Sequence, residues 1–205
     1  MRLCTYIIKH DHGLAPNPFG EWCTLAVCTP NHQGAKLAEG DWIAGFTTKS
    51  KSYRLIYAMM VDEHIHMAAY FSDPRFAYKR PVSTDPARQR CGDNFYELLP
   101  NGGWHQHPNV YHRGDAYLRK DTRHPYVFAG RRFWYFGGNA VLVPKEISLK
   151  VGGKGIRVNH PGRSAEQFLT WLQANHPPGV HGAPTDNPRA GSQAEFFINP
   201  ARRLG

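Results

Sequence analysis

The sequence predicts an α+β fold: a small β-barrel or a strongly bent mixed sheet, with flanking helices and long loops. Three observations lead there. Short runs rich in Val, Ile, Tyr and Phe recur between Gly, Pro and Asn turns; one segment near the C-terminus has a capped helical pattern; and residues 67–124 are dense in turn formers. At 205 residues, 41% hydrophobic and 20% charged, the chain suffices for one full core and is short for two. The expected organisation is a single domain over residues 1–178, followed by a basic Gly/Pro-rich tail over 179–205.

Residues 5–10 (TYIIKH) read as a first strand that ends in the turn-forming HDHG. The APNPF loop follows, stiffened where Pro16 and Pro18 fix φ and remove backbone donors. Residues 24–28 (TLAVC) read as a short extended piece or a turn of helix. Gly40 and Asp41 punctuate the chain before WIAGF, and the apolar run in SYRLIYAMMVDEHI predicts two buried strands of a hairpin or meander. Residues 67–124 are expected to be long ordered loop draped over the sheet. Strand composition resumes at 126–129 and 132–136, breaks at Gly137 and Gly138, and returns at 140–143. In SAEQFLTWLQANHP, Ser164 is the candidate N-cap and Gln167 holds the capping-box position. Phe168, Leu169 and Leu172 mark the apolar face, and Pro177 ends the helix. The FFIN patch at 196–199 is expected to dock back on the body.

A formal charge of +9 makes a polyanion the leading class of partner. No run of about eighteen apolar residues occurs, so neither a signal sequence nor a membrane span is expected and the location expected is cytoplasmic. Four unevenly spaced cysteines argue for reduced thiols rather than a disulfide framework.

Three His-x-His pairs, His10/His12, His64/His66 and His105/His107, each place two imidazoles on one face of an extended chain. Such a pair permits metal chelation but does not require it. No HExxH or CxxC motif supplies a third ligand, and Cys23 and Cys28 with His32 make only a loose half-site, so no metal and no cofactor are expected. For acid–base chemistry the candidates are His10, His12 and Asp73, with Asp11 and Asp41 beside them. Asp41 in its Gly-Asp turn, and Asp73 in SDP, also suit local backbone capping. No GxSxG, GxGxxG, P-loop or kinase motif is present, and the Gly-rich basic stretch 152–160 matches no phosphate-loop spacing.

Basic and aromatic residues interleave in RFAYKRP (75–81), RRFWYFGG (131–138) and HRGDAYLRKDTRH (112–124), a composition suited to phosphate contact beside base stacking. Arg75, Lys79, Arg80 and Arg131 are the candidate phosphate-binding residues. Asn17, Phe19, Trp42 and Phe46, drawn from the stiff APNPF loop and from GDWIAGF, are the candidate base-binding residues.

APNPF, CTLAVCTP, GDWIAGF, YFSDPRFAYKRP and FWYFGGNAVLVP resemble, in this order, the second type of nucleotide-modification-associated domain, a bacterial and phage group found near DNA base-modification systems. The resemblance runs from about Tyr6 to His160. The stretch from GDWIAGF to SDPRFAYKRP is also similar to EVE, ASCH and PUA-type domains, compact β-barrels several of which take an extruded or modified nucleobase in a cleft. The resemblance implies a PUA-like barrel and a role with modified nucleotides. Its first functional expectation is a module that reads a modified or extruded base in DNA; its second is an enzyme acting on a nucleobase or nucleotide through His10, His12 or Asp73; its third is a scaffold subunit. The partners implied are nucleic acid, foremost DNA with modified bases, and proteins of the modification system.

Overall fold

Leu3–Ile7 (β1) is buried along nearly its whole length, as a strand covered on both faces must be, and it pairs in parallel with Trp42–Phe46 (β3). In this computed structural model, which describes residues 1–27, 35–152 and 155–192, β3 turns back into Leu55–Met60 (β4) as an antiparallel partner. Phe133–Tyr135 (β9) lies beside β4, and Gly179–Val180 (β10) closes the order β1-β3-β4-β9-β10. A second sheet has the order β2-β8-β5, from Cys23–Leu25 (β2), Tyr126–Gly130 (β8) and Glu63–His66 (β5). Tyr96–Leu98 (β6) and Trp104–Gln106 (β7) form a separate two-stranded sheet.

Alternation of side chains assigns the two faces of the five-stranded sheet. Trp42, Ala44, Phe46 and Trp134 face the helix Ser164–Asn175 (α4), meeting its Phe168, Leu169 and Leu172. Ile43, Tyr57, Phe133 and Tyr135 face the opposite way and pack on Cys23, Leu25 and Phe128 of the second sheet. The far side of that second sheet is covered by the helix Met67–Ser72 (α1), whose Met67 and Tyr70 join Trp22, Phe76, Phe95 and Val127. The protein is therefore a mixed α+β stack of helix, sheet, sheet and helix. Hydrogen bonding does not join the two sheets edge to edge, so no closed barrel forms among the described residues.

The chain crosses between the sheets twice in one place. β4 continues into β5 and β8 into β9, and the corner is held by Met60 N–H donating to Arg132 and Asp62 N–H donating to Ala129. Gly130 sits in that corner, where an added Cβ would lie 2.0 Å from the Met60 carbonyl oxygen, so only glycine permits the approach.

Several expectations change here. The apolar run 53–65 supplies two strands as expected, but they belong to different sheets and pair with β3, β9 and β8 rather than with each other. Residues 67–124 hold α1, a 3-10 helix over Pro74–Lys79, the helix Pro86–Cys91 (α2), the β6–β7 hairpin and the helix Asp115–Asp121 (α3). Short helices of six or seven residues leave too little periodicity to stand out from turn composition. The α4 helix lies where its pattern puts it, but Ser164 is its first helical residue rather than its cap. The Ser164 hydroxyl donates to the Pro161 carbonyl, and Arg163 holds the cap position without a side-chain capping bond, its guanidinium pairing with Glu166 instead. Residues 140–143 contribute one bridge, Leu55 with Val141. Between residues 179 and 192, β10 pairs with β9, and the helix Pro188–Ser192 (α5) brings Ala190 against Phe19 and Cys91. Cys28, His32 and the FFIN patch lie outside the described residues.

Candidate functional site

The four candidate base-binding residues are interior. Trp42 is 3% exposed and stacks at a tilt on Trp134 with ring centroids 5.8 Å apart; Phe46 packs on Phe168 of α4 at 6.3 Å. Phe19 closes over Cys91 and Ala190. Asn17 pairs with Thr24 through backbone bonds in both directions, and its amide donates to the Cys91 carbonyl at 2.8 Å. None presents a face on which a base can stack without repacking the core, so the proline-stiffened loop is folded inward as a structural wedge.

Lys79 explains why. The residue is 1% exposed, and its ammonium donates to three acceptors of that loop, the Asn17 carbonyl (3.0 Å), Asn17 Oδ1 (2.9 Å) and the Phe19 carbonyl (2.9 Å). Three protons meet three acceptors. Burial pulls the Lys79 pKa down to about 8 even though the charge of Asp93 works the other way. Asp93, equally buried, accepts from Thr24 and Tyr70 hydroxyls at 2.7 Å each, and burial pushes it up to about 6 against the Lys79 charge. A lysine read as a phosphate ligand is the pin that holds the loop.

The other candidate cations divide. Arg75 is spoken for: its guanidinium makes a bidentate pair with Glu63 (2.7 and 3.0 Å) and also bonds Asp73. Arg80 lies over the Phe71 ring and donates to the Phe71 carbonyl at 2.7 Å. Arg131 keeps an open side chain, 61% exposed and 4.0 Å from Glu21. Asp73 accepts from the Arg75 backbone N–H at 2.8 Å as the cap of the 3-10 helix. Burial opposes its ionisation, but the Arg75 hydrogen bonds and charge prevail and hold it below the usual range. It is a turn cap rather than an acid–base group. Asp41 caps likewise, taking the Ala38 and Arg2 backbone N–H groups and the Arg2 guanidinium. The free thiols Cys4 and Cys23 are buried and pushed up to about 12, which leaves them inert at neutral pH.

Two of the candidates do come together with a residue from the far end of the chain. His10, His12 and Asp186 place one ligand atom each within 4.8 Å of one another. Between them Asp11 turns inward and is 4% exposed. The Tyr135 hydroxyl contacts both Asp11 carboxylate oxygens, at 2.7 and 2.8 Å. Burial raises the Asp11 carboxyl above its usual range, and the Tyr135 bond works against that rise. Reciprocal bonds lock the two segments, Asp11 N–H to Asp186 Oδ2 and Asp186 N–H to the Asp11 carbonyl, both at 2.8 Å. The His12 ring stacks on Tyr111 at 4.3 Å.

A groove starts beside this cluster. Its narrow end is lined by Lys9, Asp11, Asp186 and Thr185, and Thr47, Lys51 and Thr185 carry it into a wider cleft of about 690 Å³. One wall is the β3–β4 connection, where a 3-10 turn over Lys49–Lys51 and left-handed Ser52 and Tyr53 (φ 63° and 50°) turn Lys51 and Arg54 outward. The other is the turn Gly137–Asn139 with Ala140. Gly137 has φ +54°, and an added Cβ there would lie 2.2 Å from the Ala183 carbonyl oxygen. Lys9, Lys51 and Arg54 are exposed and have no carboxylate partner among the described residues. In this they differ from Arg75 and Lys79. The site is thus a positively charged groove with a histidine–carboxylate cluster at its narrow end.

Exposed Lys9, Lys51 and Arg54 give this groove on a mixed α+β body an electrostatic attraction for anions. The chain belongs to the nucleotide modification associated domain 2 family, which it matches over residues 1–190. No curated protein and no solved structure matches it. Within the described residues, no helix is long and apolar enough to cross a membrane.

Of the residues in this cluster and groove, sequence reasoning singled out His10, His12 and Asp11 but not Lys9, Lys51, Arg54 or Asp186. Lys51 and Arg54 lie in TTKSKSYR, whose basic and polar composition between two apolar runs was a visible signal of an exposed connection. Asp186 had none, since its proximity to His10 spans most of the chain.

Proposed function

We propose that this protein is a nucleotide-binding module of a DNA base-modification system, and that the groove between the β3–β4 connection and the Gly137–Ala140 turn holds a nucleotide of the target strand. The carrying observation is the set of three exposed cations without carboxylate partners, Lys51 and Arg54 along a cleft of about 690 Å³ and Lys9 at its narrow end. Cavities of roughly 300–1,000 Å³ accommodate small organic ligands, so the size suits one nucleotide unit. Phosphate is held by the cations, and the Thr185 hydroxyl and the Asn139 side-chain oxygen offer hydrogen bonds to sugar or base edges. No aromatic ring is among the lining residues, so phosphate contact rather than stacking dominates affinity. Extrusion of a base costs a few kcal/mol, which these contacts and the edge hydrogen bonds must recover.

Fluorescence titration of modified and unmodified nucleosides, their 5′-monophosphates and single-stranded DNA at low salt tests this reading. Nucleotides are expected to bind about tenfold or more tightly than the matching nucleosides. Replacing Lys51 and Arg54 together with alanine is expected to weaken binding by about tenfold or more and to reduce the salt slope by about two. Equal binding of nucleoside and nucleotide, or no binding of any of them, overturns it. A second reading, an enzyme acting on the bound nucleotide, is favoured by His10, His12 and Asp186 at the end of the same groove.

A further inference from the structure

We infer that His10, His12 and Asp186 bind a divalent first-row transition metal. Three observations converge. One ligand atom from each residue lies within 4.8 Å of the others, a spacing that small side-chain rotations close to a common centre. Second, His12 Nδ1 is buried with no hydrogen-bond partner among the described residues, although a buried ring nitrogen is ordinarily satisfied. Third, the cluster is held from behind. Asp186 Oδ2 accepts the Asp11 N–H at 2.8 Å, Asp186 N–H donates to the Asp11 carbonyl, and the Asn187 amide donates to the His12 carbonyl at 3.3 Å. Tyr135 anchors Asp11 itself, so the intervening residue of His10-Asp11-His12 is nailed to the core while both imidazoles turn the other way. Outer contacts of this kind orient metal ligands.

The donor set is two imidazoles and one carboxylate. That combination suits zinc, iron, manganese or cobalt rather than calcium or magnesium, and three protein ligands leave positions open for water or a ligand oxygen, unlike a closed structural site. The open side faces solvent, since the His10 side chain is 76% exposed and that of Asp186 36%. Thr185 and Asp186 line the narrow end of the groove with Lys9 and Lys51, so a phosphate held by those cations lies next to the metal. The ion itself is inferred from the cluster alone; only its partner, a nucleotide phosphate, rests on the reading proposed above. The other paired histidines lack this arrangement: His107 is bonded to Glu97, and His64 stacks between Tyr126 and Phe128.

The test uses the full chain stripped with a chelator and titrated with Zn²⁺ by calorimetry and with Co²⁺ by visible absorption. The expected result is one metal per chain, with Co²⁺ d–d bands of nitrogen and oxygen ligation. His10→Ala and Asp186→Asn are each expected to weaken binding by about 100-fold, whereas His105→Ala leaves it unchanged. His10 is exposed and Asp186→Asn keeps an oxygen for the Asp11 N–H, so neither substitution threatens the fold. Absence of a saturable one-to-one site, or affinity unchanged in both variants, overturns the inference. Nucleoside 5′-monophosphate titrations of the stripped and loaded protein separate the two claims. Metal binding without nucleotide binding sinks the groove reading alone, and nucleotide binding without a metal site sinks this one alone.

Discussion

Replacing Lys79 with methionine is expected to destabilise the protein by about 3–5 kcal/mol, a fall in Tm on the order of 10 °C for a chain of this size. The substitution keeps the length of the side chain and removes all three hydrogen bonds to the APNPF loop at once. It leaves the Asn17 carbonyl with the Thr24 N–H as its donor, strips the ammonium from the Phe19 carbonyl, and leaves Asp93 without the cation that opposes its burial. Urea unfolding of the wild type and variant measures the difference directly. A loss below about 1 kcal/mol would show that the loop does not depend on the ammonium.

The same pair sets a pH signature. Folding lowers the Lys79 pKa from 10.5 to about 8, so between those values the unfolded chain holds a proton that the folded chain has released. The Lys79 contribution therefore grows as pH rises through that window and is lost as pH falls through about 8. Asp93 is raised from 3.8 to about 6, so folding takes up a proton between those values and its contribution is lost as pH rises through about 6. The two charges together cost most between about pH 6 and pH 8. Unfolding curves from pH 7 to pH 10 should show wild type gaining stability relative to Lys79→Met, and a flat difference would assign the buried proton elsewhere.

Trp42→Ala is expected to cost about 3–5 kcal/mol through the cavity it leaves, while nucleotide affinity of the folded fraction stays unchanged. The indole lies between Trp134 and the α4 helix, with the Arg132 guanidinium over its ring at 5.8 Å. Collapse into the space is resisted because the sheet beneath is fixed by pairing on both sides, β1 with β3 and β3 with β4. Thermal melts and nucleotide titration of one preparation decide the matter. Stability near wild type with binding lost would return Trp42 to the ligand.

Much of the sheet was legible because it is written in local pattern. WIAGF, LIYAMM and the two runs around Gly130 are apolar enough to be strands wherever they lie, and FLTWL carries helical spacing. Pairing was not legible, since β4 and β5 adjoin in sequence yet serve different sheets, and the corner at Gly130 that parts them depends on a close contact with Met60. The aromatic, proline-rich APNPF loop misled for a related reason. Its composition suits presentation and burial equally well, and the choice was made by a lysine 62 residues away that comes to it from the opposite side.

The candidate site divides along the same line. Membership in a nucleotide modification associated family, the positive charge and the shared face of His10 and His12 follow from residue identity and short spacing alone. The cations left free to meet a ligand, and the carboxylate that joins the histidines, emerge only on folding. Pairing one arginine with Glu63, burying Lys79 and carrying Asp186 back 175 residues to Asp11 are long-range events, and neither composition nor periodicity encodes which distant partner a charge will find.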